Sequence, residues 1–243
     1  MIARESSKKA ACAGNAMEIL PGIHQIDGVN CNCYLAKDSN GFTLIDSGMP
    51  WSAKKILAYA SSIQCQPSDI KTIIITHCHI DHIGGLEAVK KATGAKVAAH
   101  EADADFISGK KSMPMPAGRK LSMRFRIFRL LSPLMKAKPV VPDILLKDGD
   151  EIAGMEVLLT PGHTPGSICL HDKKRKVLFV GDLLRFMDGK IVGPPITLDE
   201  TQVRDSEERV AKLDFDIMLS GHGAPLLAQA SEKVKAFVAA QKA

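Results

Sequence analysis

His77, His79, Asp81 and His82 fall within six consecutive positions, HCHIDH, directly after an apolar run and Thr76. Imidazole and carboxylate are the donors that a borderline divalent metal prefers. Positions 77 and 79, alternate residues past a strand end, point the same way, and the next turn redirects 81 and 82 toward a second centre. The grouping recurs: His163 lies in PGHTPGS after MEVLLT, Asp182 ends VLFVGD, and His222 sits in SGHG after FDIML. Five of the eight histidines and two aspartates therefore stand just beyond apolar strands, where open α/β sheets bind ligands. Gly162, Gly181, Gly221 and Gly223 leave room there for backbone close to a metal. One histidine after a strand is ordinarily a cap or a surface residue. Four such segments in one chain point to a metal site.

The elements that must position these residues are legible in the patterning. EILPGIHQID, CNCYLA, GFTLIDSG, KTIIIT and AKVAAH read as strands of the first half, and MEVLLT, SICLHD, KVLFVGD and FDIMLSGHG as strands of the second. KTIIIT is a continuous apolar run, as expected of a strand buried on both faces. SAKKILAYASSI, starting after a capping Ser52, GLEAVKKATG, closed by Gly94, LDETQVRDSEERVAKL and ASEKVKAFVAAQ read as helices. Strands alternating with helices imply a layered α/β fold. Residues 1–16 read as a flexible tail and 17–243 as one domain. Within it, residues 101–142 differ in character: apolar, basic and punctuated by proline, they read as an insertion.

At 243 residues and 45% apolar composition the chain can bury a substantial core. Its net charge of +5, from 32 basic and 27 acidic residues, tolerates an anionic substrate and falls short of a nucleic-acid-binding signature. No apolar run approaches the roughly 18 residues of a membrane span. The first residues contain no continuous apolar stretch of the kind an export signal needs. The six cysteines contain no C-x₂-C pair and are expected as reduced thiols, which places the protein in the cytoplasm.

HCHIDH, PGHTPGS, GD and SGHG, in that order, resemble the metallo-β-lactamase superfamily, and the resemblance runs from about Gly22 to Leu227. It implies a four-layer αββα sandwich with an inserted lid over residues 101–142. TLIDSG is similar to the family's early strand, in which Asp46 supports the metal loop without binding metal. Carried over by position, the family pattern assigns one metal to His77, His79 and His163 and another to Asp81, His82 and His222, with Asp182 bridging. The implied cofactors are two divalent ions, zinc first, with iron or manganese as alternatives. The implied chemistry is hydrolysis by a metal-bridging hydroxide, with Asp81 and Asp182 as the catalytic carboxylates. Cys78 occupies a spacer position that points away from the metals.

The superfamily sets the machinery and leaves the substrate open. Only 21 residues follow His222, too few for the helical domain of glyoxalase-II-like thioesterases. The size and seven-ligand layout resemble lactonase-like members most, which implies a small ester, lactone or related acyl substrate. Where those lactonases carry a tyrosine, Arg185 stands here and is a candidate substrate contact. An RNase Z-like phosphodiesterase and a promiscuous β-lactamase are the alternatives. In the insertion, Leu121, Phe125, Phe128 and Leu131 recur at helical spacing among arginines. This stretch reads as a helix packed on the core, as a lid whose Phe125 and Phe128 face the substrate, or as a surface for a membrane or a second copy in a homodimer. The expected partner is a small-molecule substrate, with neither specific nucleic acid nor a membrane span.

Overall fold

Apolar residues that alternate along a strand must leave it on opposite faces. This alternation builds two cores from each sheet. In a computed structural model of the chain, which describes residues 17–26, 29–112, 136–194 and 196–242, β5 (Ile70–Ile75) sends Ile73 and Ile75 to one side and Ile74 to the other. β3 (Cys33–Asp38) divides Leu35 from Tyr34, and β4 (Gly41–Ile45) divides Leu44 from Ile45, in the same sense.

These strands belong to a seven-stranded sheet in chain order, with β1 (Met17–Leu20) and β2 (Ile23–Ile26) on one side and β6 (Lys96–His100) and β7 (Ile144–Leu146) on the other. Its first four strands pair antiparallel and the remainder pair parallel. A second sheet of five has the order β14 (Ile217–Ser220), β11 (Val177–Gly181), β10 (Ile168–Asp172), β9 (Met155–Leu159) and β8 (Glu151–Ile152). Its β11 and β14 run parallel, and the other pairs are antiparallel. A separate ribbon pairs β12 (Arg185–Met187) with β13 (Lys190–Val192).

The inner faces meet in a buried layer containing Ile23, Ile45, Ile74, Leu170 and Leu219, and Tyr34 packs edge-on against Phe179 at 5.4 Å across it. The outer face of the seven-stranded sheet is covered by α1 (Ala53–Ser62), α3 (Leu86–Thr93) and α4 (Glu101–Ile107), through Ile56, Val89 and Ile107. The outer face of the other sheet is covered by α5 (Glu200–Val210) and α6 (Ala230–Ala240), through Val203, Val210 and Val234. The result is a four-layer αββα sandwich, as expected. No helix among the described residues is long and apolar enough to cross a membrane.

Several local details depart from the patterning. Ser52 does not cap α1; its Oγ donates instead to the Val29 carbonyl at 3.1 Å. EILPGIHQID is two strands, because Gly22, at φ 78°, turns the chain between β1 and β2. The two described ends of the expected insertion belong to the body of the fold: residues 101–107 form α4, and Val140 is buried beside Ile107. Residues 113–135, with Phe125 and Phe128, lie outside the described residues.

Ile74 is fully buried between the sheets. Ile74→Ala is expected to lower stability by about 2–5 kcal/mol, through lost transfer energy and the cavity left behind. Urea unfolding should show this as a lower midpoint at unchanged slope. A change within the roughly 0.5 kcal/mol of a surface position would contradict the two-sheet core.

Candidate metal centre

Strand ends deliver the candidate residues to one edge of the sandwich. β5 ends at Ile75 and leads to His77, His79 and α2 (Ile80–Ile83), which carries Asp81 and His82. β9 leads to His163, β11 to Asp182 and β14 to His222. The two sheets are joined at this edge by the backbone, with Ile168 N donating to Thr76 O at 2.9 Å and Asn32 N to Gly221 O at 2.6 Å.

All seven residues come together. His163 Nε2 lies 2.9 Å from His79 Nδ1 and 3.2 Å from His77 Nε2. Asp81 Oδ2 is 3.1 Å from His222 Nε2 and 4.0 Å from His82 Nε2. Asp182 stands between the two groups: Oδ1 is 3.5 Å from His82 Nε2, while Oδ2 is 3.5 Å from His222 Nε2 and 3.7 Å from His163 Nε2. His77, His79 and His163 form one set whose donor atoms all lie within 4.8 Å of one another, and Asp81, His82 and His222 form a second. The close approach needs Gly221, because a Cβ there would sit 2.5 Å from Asp182 Oδ1 and 2.7 Å from His82 Cε1.

Hydrogen bonds behind the rings fix which nitrogen faces inward. Asp46, 1% exposed, accepts from Thr76 N, Thr76 Oγ1 and His82 Nδ1, each at 2.8 Å. Because Thr76 Oγ1 gives its proton to Asp46, it accepts from His77 Nδ1 at 3.1 Å. His163 Nδ1 donates to Ile196 O at 2.6 Å. His77, His82 and His163 thus turn Nε2 into the site, an arrangement typical of metal-binding histidines. Asp46 is itself held at φ 60°, a left-handed conformation that costs about 1–2 kcal/mol and is offset by the hydrogen bonds it accepts.

Asp103 was not found from the sequence. Its buried carboxylate accepts from Cys78 N at 2.9 Å, Thr164 Oγ1 at 2.7 Å and Gly166 N at 2.7 Å, tying the HCH and PGHTPG loops together. Burial raises its pKa, and these hydrogen bonds oppose the rise. Its only sequence signal is an acidic residue in a short helix that opens directly after a strand. Cys78 lies in the outer core, where burial first, and then Asp103, push its thiol far above the usual range. Arg185 Nη2 and Nε donate to Gly193 O at 2.9 and 3.2 Å, closing the β12–β13 ribbon.

The electrostatics divide the cluster. Burial, reinforced by the neighbouring imidazoles, lowers His77 far below its ordinary value and holds His79 down at about 3. Burial likewise takes His163 down to about 4. Burial would lower His82 too, but Asp46, Asp182 and Asp81 outweigh it and push it up to about 10. Asp81 is held well below the carboxylate range, the effect of burial being overcome by His82 and His222. Two buried atoms that point inward, His82 Nε2 and Asp182 Oδ1, have no hydrogen-bond partner. Unprotonated imidazoles converging on one point, with a carboxylate turned toward both sets, suit divalent cations.

Residues 26–222 match the metallo-β-lactamase superfamily. The chain is 30% identical over 238 residues to the probable metallo-hydrolase YflN of Bacillus subtilis, covering 88% of each chain. It is 31% identical over 182 residues to the acyl-coenzyme A thioesterase MBLAC2 of Homo sapiens, covering 68% of this chain and 61% of that one. Its fold superposes on a class B3 di-zinc metallo-β-lactamase from an Alaskan soil metagenome with a TM-score of 0.70, at 21% identity, over 99% of this chain and 97% of that one. The chain belongs to the metallo-β-lactamase superfamily and is a metal-dependent hydrolase. Its likeness to the lactonase branch has no counterpart among these relatives.

Two predictions follow from this geometry. At neutral pH His77, His79 and His163 are already unprotonated, whereas His82, raised to about 10, carries a proton on Nε2. A cation held between Asp81, His82 and His222 would displace about one proton, and one held at the other set almost none. Calorimetric titration in buffers of different ionisation enthalpy separates the two. In Asp103→Ala, each buried N–H left without an acceptor is expected to cost about 1–3 kcal/mol. Metal affinity at the His77–His79–His163 set should fall on the order of 10–100-fold, readable by competition with a chromophoric chelator.

Proposed function

We propose that this protein hydrolyses an ester, thioester or lactone of a small acyl substrate at a two-metal centre. His77, His79 and His163 would hold one ion, and Asp81, His82 and His222 the other, with Asp182 shared. The carrying observation is the convergence of seven donor residues with His82 Nε2 and Asp182 Oδ1 buried and unpartnered. The thioesterase named among the relatives supports an acyl substrate, and zinc is the first candidate because a superposable structure is a di-zinc enzyme. Bound divalent ions supply Lewis acidity and water activation.

The chain's own residues do the rest. Asp46 and the Ile196 carbonyl hold the imidazole tautomers, so the inward nitrogens need not reorganise. Asp182, buried, turns Oδ1 toward His82 and Oδ2 toward His163 and His222, so one carboxylate faces both halves. Asp81, whose side chain is 31% exposed, is the open carboxylate. Ionised at neutral pH, it orients the attacking water and passes that water's proton to the leaving oxygen or sulfur. No serine or cysteine nucleophile is required, in keeping with Cys78 lying in the outer core.

The test compares initial rates on an acyl-coenzyme A thioester, a long-chain acyl lactone and bis(p-nitrophenyl) phosphate, each with and without chelator. Turnover of one or both acyl substrates is expected, abolished by chelation and by His77→Ala or Asp182→Ala in protein that remains folded. Dominant phosphodiester cleavage would replace this reading with a nuclease. Acyl turnover that survives chelation and both substitutions would end the metal-dependent reading.

A further inference from the structure

His222 enters the centre on a turn beyond β14, whose Gly221 N and Ala224 N donate to Gly181 O at 2.7 Å and Phe186 O at 2.9 Å. β14 stops at Ser220, and Gly221 and Gly223 flank the histidine. The carbonyls of this turn must find donors elsewhere. Gly221 O accepts from Asn32 N at 2.6 Å. Ser220 O accepts from Asn32 Nδ2 at 2.9 Å and from the Tyr34 hydroxyl at 2.7 Å. Gly223 O accepts from the same Asn32 Nδ2 at 2.9 Å.

One residue of the opposite sheet's leading loop thus supplies donors to the carbonyls of Ser220, Gly221 and Gly223. An amide NH₂ has two hydrogens, and both are used here. The remaining atom, Asn32 Oδ1, accepts from Gln25 Nε2 at 3.0 Å, which sets the direction of the amide. The side chain is therefore matched atom for atom: two donors face two carbonyls, and one acceptor faces one donor.

We infer that Asn32 is a positioning residue that sets His222, and with it the Asp81–His82–His222 half of the centre. The inference rests on the two-ion reading above. It distinguishes the halves, because His77, His79 and His163 are braced by Thr76, Asp103 and the Ile196 carbonyl, none of which Asn32 touches. The His222 turn is held instead by Asn32 and Tyr34 on the Ser220, Gly221 and Gly223 carbonyls, by Gly221 N donating to Gly181 O at 2.7 Å, and by Ser220 Oγ donating to His222 O at 2.8 Å. Loss of the Asn32 amide should leave one half intact and loosen the other.

The experiment titrates metal-free wild type, Asn32→Ala and Asn32→Asp with Zn²⁺ against a chromophoric chelator, and with Co²⁺ by absorption spectroscopy. Asn32→Asp keeps the side chain's shape and its acceptor for Gln25 while removing both donors, so it carries the test if the alanine variant fails to fold. The first equivalent is expected to bind as in wild type. The second should weaken on the order of 10–100-fold, with the Co²⁺ spectrum changing only as that equivalent is added. Two equivalents bound as tightly as in wild type, with an unchanged Co²⁺ spectrum, would overturn the inference. So would equal weakening of both equivalents with a lowered Tm of the metal-free protein, which would mark Asn32 as a general brace. Wild type that binds a single equivalent would defeat the two-ion reading itself, and the inference with it.

Discussion

A single buried carboxylate sets the terms for the rest of the site. Asp46 is almost wholly out of solvent, held in a left-handed backbone conformation, and accepts from Thr76 N, Thr76 Oγ1 and His82 Nδ1. A buried charge of this kind persists only when hydrogen-bonded and balanced. Its partners are Thr76, just before the HCHIDH segment, and His82 at its end, so the interaction that satisfies the charge also fixes the rings. Through Thr76 it reaches His77, and directly it reaches His82, one residue from each proposed half. Removing Asp46 would leave several buried donors unsatisfied at once.

Around that carboxylate the protein concentrates polar groups at one end of a dry core. The four layers bury apolar residues on both faces of both sheets, and among the described residues the histidine and carboxylate groups that could hold a metal all lie at the site end. Burial drives three of the imidazoles to the neutral state, while the three aspartates around His82 hold it charged in the metal-free protein. Such divergent shifts among adjacent groups are characteristic of functional sites.

The site is braced by residues distant in sequence from the groups they support. Asp103, from α4, spans the loops of His77, His79 and His163. Asn32 crosses from the other sheet to the His222 turn. The ribbon β12–β13 joins the same edge, since Ala224 N donates to Phe186 O at 2.9 Å, and Arg185 closes that ribbon on Gly193 O. Arg185, a candidate substrate contact by position, is thereby engaged with the protein's own backbone. Specificity depends on surfaces around the metals, and the superfamily's shared machinery does not dictate them.

The sequence by itself determined the fold class, most strands and helices, and the seven clustered residues. Each of these depends on local information: period-two alternation, helical spacing, glycine stops, and a dense run of metal donors. The strands KTIIIT and KVLFVGD were legible because both faces of each are apolar. The short strands β7, β8, β12 and β13 were not, since two or three residues carry no measurable period. Asp103 and Asn32 look like ordinary polar residues in the sequence, and only tertiary structure brings them to the loops they hold. The inward nitrogens of His82 and His163 were decided in the same way, because each depends on a hydrogen-bond partner, Asp46 or the Ile196 carbonyl, far away in sequence. Identity of the donors is a property of the chain; their orientation and charge are properties of the packed fold.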